Sequence, residues 1–162
     1  MSIANERSGN GKGATYDPYT SEREVQKAIV NWLSSWDFIV AWLETTGEPK
    51  EDDRTKTAQD YLPVVIRVNS GQAFDRTGKY RISLASAGTP DLMVFLPGGV
   101  MMFVEVKFGK RGRVSDVQRD LHNRLRQLGY LVVVAWGLTE VETAVRAAGL
   151  AWANANGISP QK

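Results

Sequence analysis

Hydrophobic positions first recur at helical spacing at Val25, Ile29, Trp32, Leu33 and Trp36. They follow Ser21-Glu22-Arg23-Glu24, a capping box in which Ser21 caps and Glu24 reaches back. An amphipathic helix is therefore expected over 21–35. Past it the pattern either continues through Val40 and Leu43 or breaks at Ser34-Ser35 into a short strand. Residues 45–60 are polar, charged and without period, the mark of a surface insertion. Tyr61–Asn69 is rich in β-branched residues and reads as a strand, and a weaker strand is expected around Tyr80–Leu84. Asp91–Leu96 and Val100–Phe108 flank Pro97-Gly98-Gly99 as the two arms of a hairpin. A second helix opens at Ser115, with Gln118 at the capping-box position, and ends at Gly129; Val117, Leu121, Leu125 and Leu128 form its apolar stripe. Leu131–Trp136 is nearly all apolar, as a central strand buried on both faces would be. Thr139–Ala148 reads as a last helix. The order is that of a small α/β protein, with a mixed central sheet flanked by helices.

The chain has 162 residues, 43% of them hydrophobic, which suits one domain. The expected organisation is a disordered leader over 1–20, a single domain over 21–149 with the polar insertion near 45–60, and a C-terminal tail over 150–162. Cysteine is absent and His122 is the single histidine. Thiol chemistry, zinc fingers and His-rich metal centres are thereby excluded, and any metal must be a hard ion such as Mg²⁺ or Mn²⁺ held by carboxylates. No apolar run approaches the roughly 20 residues of a membrane span, so a cytoplasmic protein without membrane contact is expected. The global charge is only +2, but between Lys107 and Arg126 seven basic residues face two acidic ones. Lys110, Arg111 and Arg113 in that cluster are candidates for contacts to phosphates. Charge alone fits a solvated helix face and a basic loop equally well.

The hairpin carries the chemistry. With Pro97, Gly98 and Gly99 as the loop, Leu96 pairs with Val100, and counting outward sets Asp91 opposite Glu105. Glu105 and Lys107 share a face, and the pairing adds Asp91 to it. A two-residue Gly98-Gly99 turn would slip the register and separate them. Two carboxylates on neighbouring strands suit a divalent cation, and a nearby lysine suits a developing phosphate charge. A salt bridge at the sheet rim is the plainer alternative.

Gly88-Thr89-Pro90-Asp91 followed by Glu105-Val106-Lys107 resembles the PD-(D/E)XK nuclease superfamily, and more narrowly the VRR-NUC family in its small, stand-alone, phage-type form. Ser21-Glu22 with Val25-Gln26, Arg67-Val68-Asn69-Ser70-Gly71, Ser115-x-x-Gln118 and Gly129-Tyr130 match the narrower pattern across residues 21–147. The resemblance implies a restriction-endonuclease-like core in the order α-β-β-β-α-β. It implies a DNA endonuclease dependent on Mg²⁺, with Mn²⁺ as a substitute and no organic cofactor, leaving 5′-phosphate and 3′-hydroxyl ends. Asp91, Glu105 and the Val106 carbonyl would hold the metal, and Glu22 would approach it from the first helix. Lys107 would position or deprotonate the attacking water, and Gln118 would face the site. Arg67, Asn69 and Ser70 would meet substrate or support the site. Each has a plainer reading: Glu22 as an acid in a first helical turn, Gln118 as a cap, Asn69-Ser70 as a turn. His122 is expected to be a packed helix residue. A homodimer is expected because one site cuts one strand, with the exposed apolar residues among Trp36, Phe38 and Trp42 as its interface. The substrate expected is branched or junction DNA. A sequence-specific restriction-type enzyme and a non-catalytic DNA-binding module are the alternatives.

Overall fold

The computed structural model describes residues 18–47, 57–68, 72–74, 77, 81–83, 85–109 and 112–158. Helix α1 runs Glu22–Leu33 and buries Val25, Ile29, Trp32 and Leu33, the predicted stripe. Ser21 Oγ accepts from the Glu24 amide at 3.3 Å. The Glu24 carboxylate reaches one residue further back than expected, accepting from both Thr20 N and Thr20 Oγ1 at 2.7 Å. The chain does break at Ser34-Ser35, but a second helix follows, α2 over Trp36–Thr46, and neither a continuation nor a strand. Thr45 and Thr46 thus belong to a buried helix end, and Ala58–Tyr61 forms a short 3-10 turn closed by a Thr57–Asp60 capping box. The expected insertion shrinks at both ends accordingly.

Strand β1 covers Val64–Arg67, β4 Leu92–Phe95, β5 Met101–Val106 and β6 Leu131–Ala135; with β2 (Gln72–Phe74) and β3 (Arg81–Ser83) forming a separate antiparallel pair. The four-stranded sheet has the order β1-β4-β5-β6, antiparallel except for the β5–β6 pair. It is the mixed sheet expected. Helix α3 spans Asp116–Gln127 and α4 spans Leu138–Ala155. The last helix therefore continues well past Gly149. Its buried positions Val141, Val145, Gly149 and Ala153 carry one stripe down its length.

Strand β6 is an edge strand and not a central one. Its apolar run still has a physical reason, because α4 and α3 both pack against it and Val132, Val133 and Ala135 are buried. At this edge the Arg126 guanidinium donates to the Val132 carbonyl at 3.1 Å, which occupies a backbone acceptor that would otherwise invite another strand.

The hairpin register is the one set by a three-residue loop. Leu92 pairs with Val104 and Phe95 with Met101, and the Leu96 amide donates to the Val100 carbonyl at 2.8 Å. Gly98 adopts φ +77°, and a Cβ there would lie 2.3 Å from the Trp152 indole. The turn is thus packed shut from α4. Along β4 and β5, Leu92, Val94, Met102, Val104 and Val106 join Val25, Ile29, Phe38, Trp42, Val141 and Val145 in one core. The opposite face of β5, with Phe103, Glu105 and Lys107, is the one that meets α3.

Phe38 and Trp42 lie in that core, at 0% and 2% exposure, while Trp36 is 64% exposed. Phe38 and Trp42 are therefore closed to the expected subunit interface, and of the three Trp36 is the exposed one. Phe38 sits edge-on to Trp32 at 5.6 Å and stacks on Trp42 at 6.4 Å, filling the space between helices.

Candidate functional site

The site forms where β4 begins and β5 ends. The β1–β4 register continues to Asp91, whose carbonyl accepts from the Val68 amide at 2.8 Å. Pairing across the hairpin then sets Asp91 beside Glu105. Just before it, Gly88 holds φ +85°, and a Cβ on it would lie 2.8 Å from the Val117 carbonyl. Only glycine lets this loop close against the first turn of α3, which explains Gly88 in the motif.

Asp91 Oδ2 accepts from the Val106 amide at 2.8 Å. An extended residue turns its N–H and C=O to the same side, so the Val106 carbonyl is directed to the side where Asp91 stands. Lys107 Nζ donates to Glu105 Oε1 at 2.5 Å, and both side chains are buried. The same oxygen accepts from Gln118 Nε2 at 2.5 Å. Gln118 also completes its capping box, with Oε1 accepting from the Ser115 amide at 2.9 Å and its own amide donating to Ser115 Oγ at 3.3 Å. The two readings of Gln118 are both realised: one end of the amide caps the helix, the other grips Glu105.

Glu22, in the first turn of α1, approaches from the other face of the sheet. It is close enough to feel the charges of Asp91 and Lys107. Burial raises the Glu22 carboxyl above its ordinary range, the Asp91 charge adds to that rise, and Lys107 opposes it. Burial likewise raises Asp91, against the Val106 amide and Lys107. Glu105 is raised by burial first and then by the charges of Asp91 and Glu22, while Lys107 pulls it down. Among the described residues Glu22, Asp91 and Glu105 thus share the ammonium of Lys107, and carboxylates outnumber ammonium there.

His122 is expected from the sequence to be a packed helix residue. It is packed, being the one buried residue of α3. It also faces the site, with Nε2 3.6 Å from Glu105 Oε2. Its position four residues after Gln118 carried the signal, since that spacing puts both on one helix face. Burial lowers its pKa, as do the charges of Arg126 and Lys107, in that order.

Of the candidate phosphate contacts, Arg113 is exposed in the segment leading to α3. Arg67 is exposed at the end of β1, but its pairing with Leu92 puts it on the sheet face opposite Glu105. Asn69, Ser70, Lys110 and Arg111 lie outside the described residues.

Among the described residues no three acidic or histidine side chains converge closely enough to hold a cation by themselves. The oxygen donors that could hold a hard divalent ion are Asp91 and Glu105 with the Val106 carbonyl, completed by waters. The excess of carboxylate over ammonium among the described residues of the site favours a cation there.

The raised carboxyls have a consequence for stability. A carboxyl raised by folding contributes stability below its ordinary value of about 4 and loses it as pH rises through the raised value. Asp91→Asn can still accept from the Val106 amide but cannot ionise. In EDTA it should melt above the unsubstituted chain at about pH 7.5, with the gap closing towards about pH 4. A calorimetric series in which the variant melts lower at the upper pH contradicts this account of the site.

A family model described as the VRR-NUC domain matches residues 20–138. No curated protein and no solved structure matches the chain. Among the described residues no helix is long and apolar enough to cross a membrane.

Proposed function

This chain belongs to the VRR-NUC family of nucleases, and from that premise we propose that it is a divalent-metal-dependent DNA endonuclease that prefers branched or junction DNA. The observation that carries the proposal is the meeting of Asp91, Glu105 and Lys107 on one face of the sheet, with more carboxylate than ammonium. Asp91 and Glu105, with the Val106 carbonyl, hold Mg²⁺, and Mn²⁺ substitutes for it. Bound there, the metal lowers the pKa of water and offsets charge on the scissile phosphate.

The remaining work belongs to the chain. Lys107, fixed on Glu105 Oε1, orients the attacking water and stabilises the charge that develops as the P–O3′ bond breaks. Gln118 keeps the Glu105 carboxylate in place. Glu22 adds negative charge from α1 and so strengthens the hold on the cation. Arg113, with Lys110 and Arg111, neutralises backbone phosphates. Contacts of that kind position DNA without reading its sequence, which supports recognition by shape. One site cuts one strand, so the acting unit is a homodimer, built on residues other than Phe38 and Trp42. It works in the cytoplasm.

The test is cleavage of a labelled four-way junction and the matching linear duplex, with Mg²⁺, Mn²⁺ or EDTA, beside Asp91→Ala. Metal-dependent cutting of the junction, lost in Asp91→Ala, is the expected result. Equal cutting of both substrates keeps the chemistry and removes the structural preference. Binding without cutting of either turns the protein into a DNA-binding module.

A further inference from the structure

Two buried polar atoms at this site lack a hydrogen bond, and they face each other. Glu105 Oε2 and His122 Nε2 are 3.6 Å apart, on side chains 1% and 2% exposed. That spacing is just past hydrogen-bond range. Bonds at catalytic sites are often long before the site is loaded and tighten afterwards. Burying a carboxylate oxygen and a ring nitrogen unpaired is expensive, and a proton on Nε2 satisfies both at once.

We propose that His122 is a positioning residue for the metal site, donating from Nε2 to Glu105 Oε2. This rests on the reading of Glu105 as a metal ligand. Gln118 and His122 stand four residues apart on α3, so one helix face reaches both oxygens of Glu105: Gln118 takes Oε1, at 2.5 Å, and His122 takes Oε2. The terminal torsion of a glutamate is broad. Donors on Oε1 alone, from Lys107 and Gln118, leave the carboxylate free to tilt, whereas a donor on each oxygen fixes its plane. Supporting hydrogen bonds of this kind orient metal ligands and tune their affinity.

The residue type agrees with this role. His122 occupies the one buried position of α3, where packing alone would be served by leucine. Leucine could not meet Oε2.

Because the chain has one histidine, labelling its ring nitrogens with ¹⁵N gives a single imidazole to follow by NMR. The full chain should show a neutral ring protonated at Nε2, and that signal should move as Mg²⁺ is titrated to saturation. A proton on Nδ1, or an Nε2 signal unmoved by Mg²⁺, overturns the proposal. The companion measurement is Mn²⁺ affinity by calorimetry in His122→Phe and His122→Gln. Loss of the donor in His122→Phe should weaken Mn²⁺ binding about 10–100-fold, with KM for DNA unchanged and kcat reduced at limiting metal. His122→Gln keeps a donor and should restore affinity. If His122→Phe binds Mn²⁺ like the unsubstituted chain, His122 is packing alone and this inference fails by itself. If the unsubstituted chain binds no Mn²⁺, the metal reading of Glu105 fails and takes this inference with it. Should either variant not fold, the ring-nitrogen measurement on the unsubstituted chain decides.

Discussion

Lys107→Ala should cut the rate of DNA cleavage by about 10²–10⁴-fold, the scale of losing a positioned proton-transfer or charge-stabilising group. DNA affinity should stay close to that of the unsubstituted chain. The reason is where the ammonium sits. It is buried, shares Glu105 Oε1 with Gln118, and lies among Glu22, Asp91 and Glu105, whose pKa values its charge pulls down. Removing it deletes the ammonium that the described residues supply to that group, while Gln118 still holds Glu105; the buried carboxylate then loses its counter-charge, so the rate is compared below the melting temperature of the variant. Lys107→Arg should not rescue the rate, because a planar guanidinium differs in shape and donor directions from an ammonium and the position is only 8% exposed. Single-turnover cleavage at saturating Mg²⁺, beside binding measured in EDTA, separates the two quantities. Cleavage by Lys107→Ala at the ordinary rate would falsify the assignment of the site.

Phe38→Ala should destabilise the protein by about 3–5 kcal/mol, the cost of emptying a fully buried aromatic position. For a chain of this size that corresponds to a fall in Tm of roughly 6–20 °C. Phe38 is fully buried and touches Trp32 and Trp42 ring to ring, so truncation removes a contact from each. Since native proteins hold only about 5–15 kcal/mol in reserve, the variant should be visibly fragile. A residue at a subunit interface would behave differently, changing the association state with little effect on the melting of the monomer. Calorimetry together with light scattering distinguishes these outcomes, and dissociation without loss of Tm would return Phe38 to the surface.

The misreading of this region has a physical source. Trp36-Asp37-Phe38-Ile39-Val40-Ala41-Trp42-Leu43 is too continuously apolar to show a helical period. Helix α2 buries Phe38, Ile39, Ala41, Trp42, Thr45 and Thr46 on one face, but Trp36 and Val40 on its open face are apolar too, and apolar residues on both faces blur the stripe. Strand β6 misled for a related reason. Its apolar run reports coverage on both faces, which is true, but position within a sheet depends on pairing with β5, and no local pattern records that. The hairpin was legible because turn length, alternation and chain direction are all local, and together they fix the partner of every residue in β4 and β5. Asp91 beside Glu105 followed by counting once the loop was three residues long, which the structure shows it to be. His122 escaped because its neighbour, Glu105, lies on another element, although its spacing from Gln118 hinted at a shared face.

The distribution of the site along the chain has a further consequence. Glu22 belongs to the first helix and Gln118 to the third, on opposite faces of a sheet in which β5 is flanked by β4 and β6. A growing chain has made Glu22, Asp91, Glu105, Lys107 and Gln118 before Leu131 is added, yet β5 is still an open edge at that moment. Lys107 has its amide bound only once the Ala135 carbonyl arrives, at 2.8 Å in the finished fold. The parts of the nuclease therefore exist on the ribosome well before the nuclease does. The backbone frame beside Lys107 is completed by β6, the strand of this sheet made last.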